Sequence, residues 1–510
     1  MMKFNSCRSG RTALVAVSAL TVVAAASAQA VFVRGFEGTS QLDNCALGQC
    51  FRPPDTMGAV GTTQYLETNN GSIAIFNKAT GALTSRESMP AFWTRVGLPG
   101  GANGDQRVLF DHYTNRWIMN GFGSSGNLIN IAVSDTANAS GTWKSTQLVG
   151  TALGVPGTLD YPTLSMDDKG VYIGTNNFNP SFTGTSLFVI PKTSLFGGAP
   201  STAGMTIFTT SLAGPDNGFA IQPALNWQGN LTNTLSVIAD SRDFNAQVFY
   251  KVNGVNAAGA TQTASAQIGG SGYTPAGAGR QPDGTRLVDT LSPRITANAV
   301  QLNGKIFSTA TVQADAGVGD FAAVRWTVVD ASSGALLSSG KIQQANFDFY
   351  EGSIAINEFG EAVIGYNRSG AVTTDGNGDG LADGRISFMA RAYDLSGNNL
   401  VQDGSEMLLR VSGISDYRCG ERTLVDTSCR QRWGDYAAVT IDPSNHRKFY
   451  AIGEYASQWA IIPGATTTER AIWNTYIAEI AMVPEPSQYA LMALGLGVIG
   501  FTARRRRQQS

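Results

Sequence analysis

The sharpest chemical pattern in the sequence is a run of oxygen donors and glycines between residues 375 and 383. Donors fall at the first, third, fifth, seventh and ninth positions of a calcium-loop spacing, the seventh through its backbone carbonyl: Asp375, Asn377, Asp379, Leu381 and Asp383. Calcium takes about six to eight oxygen ligands, and this spacing wraps them around one point. The twelfth position holds Ile386 in place of a bidentate Glu. The pattern predicts an abbreviated Ca²⁺ loop that rigidifies an exposed segment, and the alternative is a solvated acidic turn.

A second set of candidates is an acidic residue that recurs in a repeated phrase. Each copy has a polar residue, a short apolar run, a turn and a second apolar run, and copies begin near residues 55, 104, 160, 222, 291, 350 and 434, with the copy at 222 the weakest. Five copies carry an acid at this point: Asp55, Asp105, Asp160, Glu351 and Asp435. If the repeats form a ring, these carboxylates are channel-face candidates to bind a cation or sugar hydroxyls. The alternative is structural, because an Asp side chain accepts backbone N–H bonds and shapes the same turn in each repeat.

The composition excludes several classes of function. The chain has 510 residues, of which 43% are hydrophobic, so it can bury a sizeable core. Its formal net charge is -2, and without a basic face to neutralise phosphates it is not expected to bind nucleic acid. There are two histidines, His112 and His446, so a His-rich zinc site is nearly excluded and any His-based triad must use one of them.

The elements that must position these residues are short strands. No long segment between residues 31 and 482 has apolar residues at helical spacing, and low charge with abundant Gly suits strands joined by tight turns. Four strands in each of about seven repeats would form the blades of a propeller, in which neighbours bury each other's faces. The sequence therefore predicts an all-β fold with a single seven-bladed β-propeller over 52–482, after a lead-in at 31–51. Six or eight blades, or a pair of β-sandwiches, are the alternatives, and residues 254–287 are expected to form a long exposed loop.

Both ends of the chain have the features of export signals. Residues 1–30 combine a positive start, an apolar run and small residues at the cleavage positions, which predicts a signal peptide removed by signal peptidase. Residues 483–510 have three parts in order. Pro484, Glu485 and Pro486 come first, an apolar stretch over 489–503 that is expected to form a short helix comes next, and four arginines follow it. A stable membrane span needs about 20 apolar residues, so this stretch is short for one. The arginines would hold the end in the cytoplasm.

This three-part tail resembles the PEP-CTERM sorting signal of Gram-negative bacteria. The resemblance is confined to the tail, and all three parts are present in order. It implies export across the inner membrane, transient anchoring through 489–503 and processing by a membrane exosortase at the Pro-Glu-Pro motif. The cargo is then expected at the cell surface or in the extracellular polysaccharide matrix. An ordinary tail anchor with a proline-containing linker is the alternative.

The repeats also resemble secreted bacterial propellers of the sialidase-like superfamily whose function is unknown. The phrases that carry this resemblance are residues 53–56, 160–164 and 433–436. Sialidase-type propellers use an arginine cluster, a Tyr–Glu nucleophile pair and a separate acid, and the adjacent Tyr350 and Glu351 are the candidates for the pair. Adjacent strand residues point to opposite faces, so these two would need a bulge to act together.

Cysteines and tryptophans add two further expectations. Outside the signal peptide the cysteines are Cys45, Cys50, Cys419 and Cys429. Their even number in an oxidising compartment favours disulfides, and of three possible connectivities we prefer Cys45–Cys50 with Cys419–Cys429, since each closes a short polar loop. The tryptophans occur mostly once per repeat: Trp93, Trp117, Trp143, Trp227, Trp326, Trp433 and Trp473. Core packing explains most of them, and one or two are candidates for exposed sugar platforms.

These features together predict an exported, non-enzymatic propeller at the cell surface or in the matrix. It would bind exopolysaccharide or surface proteins through its channel face and loops. The inference depends on sorting and fold, and a fold alone does not fix a function. A secreted carbohydrate-active enzyme of sialidase-like type is the main alternative, and an envelope scaffold without a small ligand is another.

Overall fold

The protein is described by a computed structural model that covers residues 28–101, 104–282, 284, 287–376, 378, 380–418, 431–463 and 468–484. Within these residues the chain forms seven sheets of four or five strands each. The strand pairs are antiparallel except for one short parallel pair in the fifth sheet. This arrangement confirms the predicted all-β, seven-bladed propeller.

The first three blades follow β1 (Ala28–Ser40), a strand that belongs to the last blade. Blade one contains β2 (Met57–Val60), β3 (Gln64–Asn69), β4 (Ser72–Asn77) and β5 (Leu83–Ser88). Blade two contains β6 (Arg107–Asp111), β7 (Arg116–Phe122), β8 (Leu128–Ser134) and β9 (Trp143–Val149). Blade three contains β10 (Thr158–Asp160), β11 (Ser165–Met166), β12 (Gly170–Phe178), β13 (Phe182–Pro191) and β14 (Thr206–Ser211).

A connection within blade four contributes one short strand to blade five. Blade four contains β15 (Phe219–Pro223), β17 (Thr234–Asp240), β18 (Gln247–Asn253), β19 (Thr261–Gln262) and β20 (Ala266–Gln267). Between β15 and β17 the chain forms β16 (Leu225–Asn226), which pairs in parallel with β21 (Val300–Leu302) of blade five. Blade five also contains β21 (Val300–Leu302), β22 (Lys305–Gln313), β23 (Ala322–Asp330) and β24 (Leu336–Ile342).

The ring is completed by two blades with long outer strands. Blade six contains β25 (Asp348–Ile356), β26 (Glu361–Ser369), β27 (Ser387–Ser396) and β28 (Asn399–Val411). Blade seven contains β29 (Ala438–Ile441), β30 (Lys448–Ile461), β31 (Glu469–Pro484) and β1. The described helices lie in connections: α1 (Gln41–Ala46), α2 (Met89–Arg95), α3 (Lys192–Phe196) and a 3₁₀ turn at Thr151–Leu153.

Neighbouring blades pack face to face through large side chains set against glycines. A Cβ atom on Gly61 of blade one would lie 2.5 Å from the Trp117 ring of blade two. A Cβ atom on Gly453 of blade seven would lie 2.3 Å from the Phe388 ring of blade six. These close contacts explain why the strands near the axis are buried on both faces and appear in the sequence as short apolar runs.

The N-terminal strand closes the ring. β1 is the outer strand of blade seven, next to β31, and the Thr39 amide donates to Thr475 Oγ1 at 2.8 Å. Glu67 of blade one accepts hydrogen bonds from the Thr39 amide at 3.0 Å and from Thr475 Oγ1 at 2.7 Å. All three residues are buried. The segment predicted as a lead-in therefore contains a strand of the propeller, and it ties the last blade to the first.

The chain enters most blades through the same backbone conformation. Near the start of the innermost strand, six of the seven described blades have a non-glycine residue with φ between 48° and 60°: Asp55, Asp105, Tyr161, Ala220, Leu291 and Glu351. This left-handed conformation costs a non-glycine residue roughly 1–2 kcal/mol, so its recurrence makes it a property of the repeat. We call the face that holds these residues the entry face. The exit face is the opposite one, where innermost strands end at residues such as Val60, Ile356 and Ile441.

Candidate functional site

The five recurring acids lie together at the entry face. The Asp435 amide donates to Asp55 Oδ1 at 2.8 Å, and the Tyr436 hydroxyl donates to Asp105 Oδ2 at 2.6 Å. Burial, followed by Asp435, raises the pKa of Asp160, so this carboxyl is also within electrostatic range of Asp435. The acids of blades one, two, three and seven are thus gathered around the axis by the turn that each repeat uses.

Burial and mutual repulsion raise the pKa values of four of the five acids in this entry-face cluster: Asp55, Asp105, Asp160 and Glu351. Burial, then Asp435 and Asp105, raises the pKa of Asp55 well above its usual value. Burial, then Asp435 and Asp160, raises the pKa of Asp105 to about 7. Burial, then Glu454, raises the pKa of Glu351 well above its usual range. Burial and nearby like charges both disfavour the ionised form of a carboxyl group. The cluster therefore retains protons at pH values where isolated carboxyl groups would lose them.

Sequence reasoning missed one member of this cluster, Glu454 on the second strand of blade seven. Its Oε1 accepts from the Thr56 amide at 3.3 Å, and its Oε2 is buried without a hydrogen-bond partner among the described residues. Only 1% of its surface is exposed. The signal that would have found it is an acid inside an otherwise apolar run, because an acid is rarely buried without a specific reason.

Arginines and aromatic rings surround the same carboxyl groups. The Arg107 guanidinium lies 3.8 Å from the ring centre of Tyr436 and 5.6 Å from that of Tyr161. Arg432 forms an ion pair with Asp435, and Arg294 lies 3.6 Å from the same carboxylate. The acids are therefore held by backbone amides, hydroxyls and guanidinium groups, an arrangement that suits a role in joining the blades.

The candidate Tyr–Glu pair is buried within blade six. The register of β25 shifts between Tyr350 and Ser353, so the bulge that the pair required is present. The Tyr350 hydroxyl, however, lies 3.2 Å from Ser369 Oγ, and both Tyr350 and Glu351 are at most 1% exposed. This geometry gives a substrate no direct approach to either side chain.

Apolar side chains fill the axis between the two faces. The innermost strands contribute Met57, Leu109, Val300, Ala355 and Val439 to the lining of a cavity of only about 10 Å³. A cavity needs about 10–15 Å³ to hold one water molecule. This part of the axis therefore has room for about one water molecule and none for a sugar.

The exit face carries a pocket that sequence reasoning did not identify. This exit-face pocket has a volume of about 320 Å³, and Val60, Phe110, Ile356 and Ile441 form part of its wall. Its polar and aromatic lining consists of His112, Trp227, Gln228, Gln301, Asn357, Glu358 and His446. The volume falls within the roughly 300–1,000 Å³ typical of small-molecule sites, and both histidines of the chain line it.

Local contacts fix the geometry of the exit-face pocket. The His112 ring centre lies 4.6 Å from the ring centre of Trp227, and burial lowers the pKa of His112, which favours its neutral form. His446 Nδ1 lies 2.7 Å from Glu358 Oε1. Asn357 Nδ2 donates to the backbone oxygen of His446 at 2.9 Å and thereby joins the turns of blades six and seven.

Trp227 is placed by the crossover between blades four and five. It directly follows β16, and the turn after it is held by the Gln228 amide, which donates to Asn226 Oδ1 at 3.0 Å. Trp227 is half-buried, whereas the other six tryptophans of the repeats are buried: Trp93, Trp117, Trp143, Trp326, Trp433 and Trp473. The core role expected for most tryptophans thus fits these six, whereas Trp227 lines a cavity.

The predicted calcium loop is described only in part. Asn377 and Asp379 lie outside the described residues. The Gly378 and Gly380 amides donate to the two carboxylate oxygens of Asp375, each at 2.7 Å, and the Gly376 amide donates to Asp383 Oδ2 at 2.8 Å. Among the residues that the structure describes, no group of three or more acids, histidines or cysteines is arranged to hold a metal ion. Calcium binding by Asp375, Asp383 and the Leu381 carbonyl therefore stays a prediction.

The predicted Cys45–Cys50 disulfide is confirmed. The two cysteines are bonded, with their Cα atoms 4.3 Å apart, in the segment between β1 and blade one. Cys419 and Cys429, the predicted signal peptide up to residue 27 and the apolar stretch at 489–503 lie outside the described residues. Within the part that is described, no helix has the length and apolar character needed to cross a bilayer.

Comparison with known proteins identifies the C-terminal tail. Residues 483–507 match the PEP-CTERM protein-sorting motif, which confirms the prediction made from Pro484, Glu485 and Pro486. This motif is the recognition signal of exosortase, so exosortase fits as a processing partner. No curated protein matches the chain.

Similar solved structures include several propellers. The Dos1 propeller is 9% identical, with 89% of this chain and 96% of that chain covered and a TM-score of 0.38. Drosophila Semaphorin 1b, extracellular domains 1-2, is 8% identical, covers 90% and 88%, and has a TM-score of 0.37. Penicillium chrysogenum alpha-L-arabinanase complexed with arabinobiose is 10% identical, covers 72% and 90%, and has a TM-score of 0.35. Likenesses this distant carry no argument about function. The chain is a seven-bladed β-propeller that carries the PEP-CTERM sorting motif and is exported and sorted to the cell envelope or surface.

Proposed function

We propose that this protein is a non-catalytic polysaccharide-binding propeller of the cell surface or extracellular matrix, and that it holds sugar residues in the exit-face pocket. The observation that carries the proposal is the half-buried Trp227 ring in a cavity that also presents Gln228 and Asn357. An aromatic ring offers a flat apolar surface to a sugar, and a few placed polar groups bond its hydroxyls.

The chemistry of the pocket supports binding over hydrolysis. Glycosidases use two carboxyl groups about 5–9.5 Å apart on either side of the scissile bond. Among the described residues that line the pocket, Glu358 is the one carboxylate, and it is paired with His446 at 2.7 Å. At the entry face the carboxyl groups are tied to neighbouring blades, and Tyr350 is buried against Ser369.

A secreted carbohydrate-active enzyme is the second candidate, and one observation favours it. The Glu358–His446 pair is exposed at the rim of the pocket, where an imidazole oriented by a carboxylate is suited to general acid–base catalysis. This candidate predicts that the protein releases soluble sugars from a polymer, and that His446→Gln abolishes the release.

Binding of the mature exported protein to immobilised exopolysaccharide tests the proposal. Trp227→Ala removes the stacking surface and should weaken binding about tenfold, equivalent to about 1.4 kcal/mol. Phe359→Ala is the matched control, because Phe359 is an exposed aromatic residue next to Glu358 that does not line the pocket. Thermal unfolding of both variants checks that they are folded. Unchanged binding by Trp227→Ala, or release of reducing ends by the wild-type protein, would contradict the proposal.

A further inference from the structure

A second cavity opens on the exit face between blades four and five. This lysine groove has a volume of about 440 Å³, and its lining includes Thr232, Thr234, Lys251, Asn303, Lys305 and Ser332. We infer that the groove binds the negatively charged substituents of the polysaccharide, so that the ligand is an anionic polymer bearing carboxylate or sulfate groups. This inference depends on the proposed function, because the groove serves as an extension of the exit-face pocket.

The groove and the exit-face pocket share a wall. Gln301 of β21 lines both cavities. Next to it, Gln228 Nε2 donates to Asn303 Oδ1 at 2.9 Å, and the Asn303 amide donates to Gln228 Oε1 at 2.7 Å. Gln228 belongs to the pocket and Asn303 to the groove, so these two hydrogen bonds join the walls of the two cavities. A ligand longer than one sugar residue can therefore contact both.

The charges in the groove favour an anion. The side chain of Lys305 makes no hydrogen bond or ion pair within the described part of the chain, so its ammonium group is available to a ligand. Lys251 Nζ donates to the Ser332 carbonyl at 2.7 Å, which leaves two of its three N–H groups for other acceptors. The groove is therefore lined by two ammonium groups in a chain whose overall formal charge is -2.

The carboxylate of Asp330, which lines the groove, is already hydrogen-bonded within the protein. Asp330 Oδ1 accepts hydrogen bonds from the hydroxyls of Ser332 at 2.6 Å and Ser333 at 2.8 Å. These bonds lower the pKa of Asp330 to about 2, so it is ionised at neutral pH and offsets one of the two lysines. The remaining lining consists largely of hydroxyl and amide groups, which bond sugar hydroxyls and offer little to an apolar ligand.

Binding of three polymers by the full mature protein tests the inference. The probes are alginate as a polyuronate, dextran as a neutral polymer and dextran sulfate as a sulfated one, each measured at low and at physiological salt. We expect the two anionic polymers to bind more tightly than dextran, and salt to weaken only the anionic binding, because partly exposed charge pairs are screened. Lys305→Gln and Lys251→Gln should each weaken alginate binding about fivefold and leave dextran binding unchanged.

Matched variants separate failure of this inference from failure of the proposed function. Lys144→Gln removes an exposed lysine on the outer strand of blade two and should change neither affinity. If both groove variants bind alginate as the wild type does, or if wild-type protein binds dextran and alginate equally, the groove does not select anions, whereas the pocket proposal stands. If Trp227→Ala changes no affinity while the groove variants lose alginate, the pocket proposal is wrong and the ligand is held by charge alone.

Discussion

Replacing Asp105 by Asn should remove part of the pH dependence of folding stability. In the folded protein, burial and the neighbouring carboxylates raise the pKa of Asp105 to about 7. In an unfolded chain an Asp titrates near about 3.9. Between these two values only the folded state holds the proton, so the stabilisation present below about pH 4 is lost as the pH rises toward about 7.

The structure sets the size of the effect. The pKa of Asp105 in the folded protein lies about three above its value in the unfolded chain. A difference of one in pKa corresponds to about 1.4 kcal/mol, so the free energy of unfolding changes by about 4 kcal/mol between low and high pH. Asp55 and Asp435 interact with the same site, so the cluster shares this change, and we expect about 2–4 kcal/mol from Asp105 itself. Asn keeps a side-chain oxygen that can accept the 2.6 Å hydrogen bond from Tyr436.

Urea unfolding of the wild type and the variant at about pH 5, 6 and 8 measures this effect. The wild type should lose stability across this range, and Asp105→Asn should lose less, so that the variant gains relative to the wild type at high pH. Asp135→Asn is the control: hydrogen bonds from Thr142 and Lys144 lower the pKa of the partly exposed Asp135, which is ionised throughout the range. If Asp105→Asn loses as much stability as the wild type between pH 5 and 8, the carboxyl does not carry the proton that we assign to it.

Three further outcomes are expected. Thr475→Val removes the hydroxyl that donates to the buried Glu67, so it should lower the free energy of unfolding in urea by about 1–3 kcal/mol. A loss smaller than the error of the titration would contradict a role of Thr475 in ring closure. Replacing both Cys45 and Cys50 by Ser should lower the free energy of unfolding by about 2 kcal/mol, measured as a lower urea midpoint than that of the wild type. When the wild type is reduced before the titration, the two midpoints should coincide. Added calcium should raise the melting temperature of the wild type and leave that of Asp375→Asn unchanged, while a wild type insensitive to both calcium and EDTA would exclude the predicted loop.

The fold could be predicted because each blade repeats one phrase. The copies near residues 55, 104, 160, 291, 350 and 434 each mark the inner hairpin of one blade. The copy at 222 is weak because its strand stops after Pro223 and the chain passes through β16 into blade five. The phrase recurs because every blade needs the same pair of buried strands to pack against its neighbours.

Other elements had no sequence signal of their own. Residues 254–287, expected to be a long exposed loop, contain β19 and β20 and bury Val255 and Ile268. Two-residue strands are too short to show an alternating pattern. The pairing of β1 with β31 was also missed. Thr39 and Thr475 are 436 residues apart, and neither strand has a local sequence feature that identifies its pairing partner.

The two ends of the axis differ in how far they could be predicted. The entry-face acids share a position in the repeat, so the ring brings them together once the fold is known. The exit-face pocket is built from turns that do not resemble one another, such as those holding Trp227, Glu358 and His446. Glu358 and His446 are 88 residues apart in the sequence, and the packing of blade six against blade seven makes them neighbours.

The ring closure has a consequence for how an exported chain reaches its native state. Because a chain is synthesised from its N-terminus, β1 emerges first, yet its partner β31 is the last described strand, next to the sorting motif. Until that strand emerges, β30 has an unpaired edge open to other chains, and Glu67 lacks the Thr475 hydroxyl. A chain arrested or cut before residue 469 would keep this edge exposed. We therefore expect a complete β31 to be needed for solubility, and truncated molecules to aggregate or be degraded.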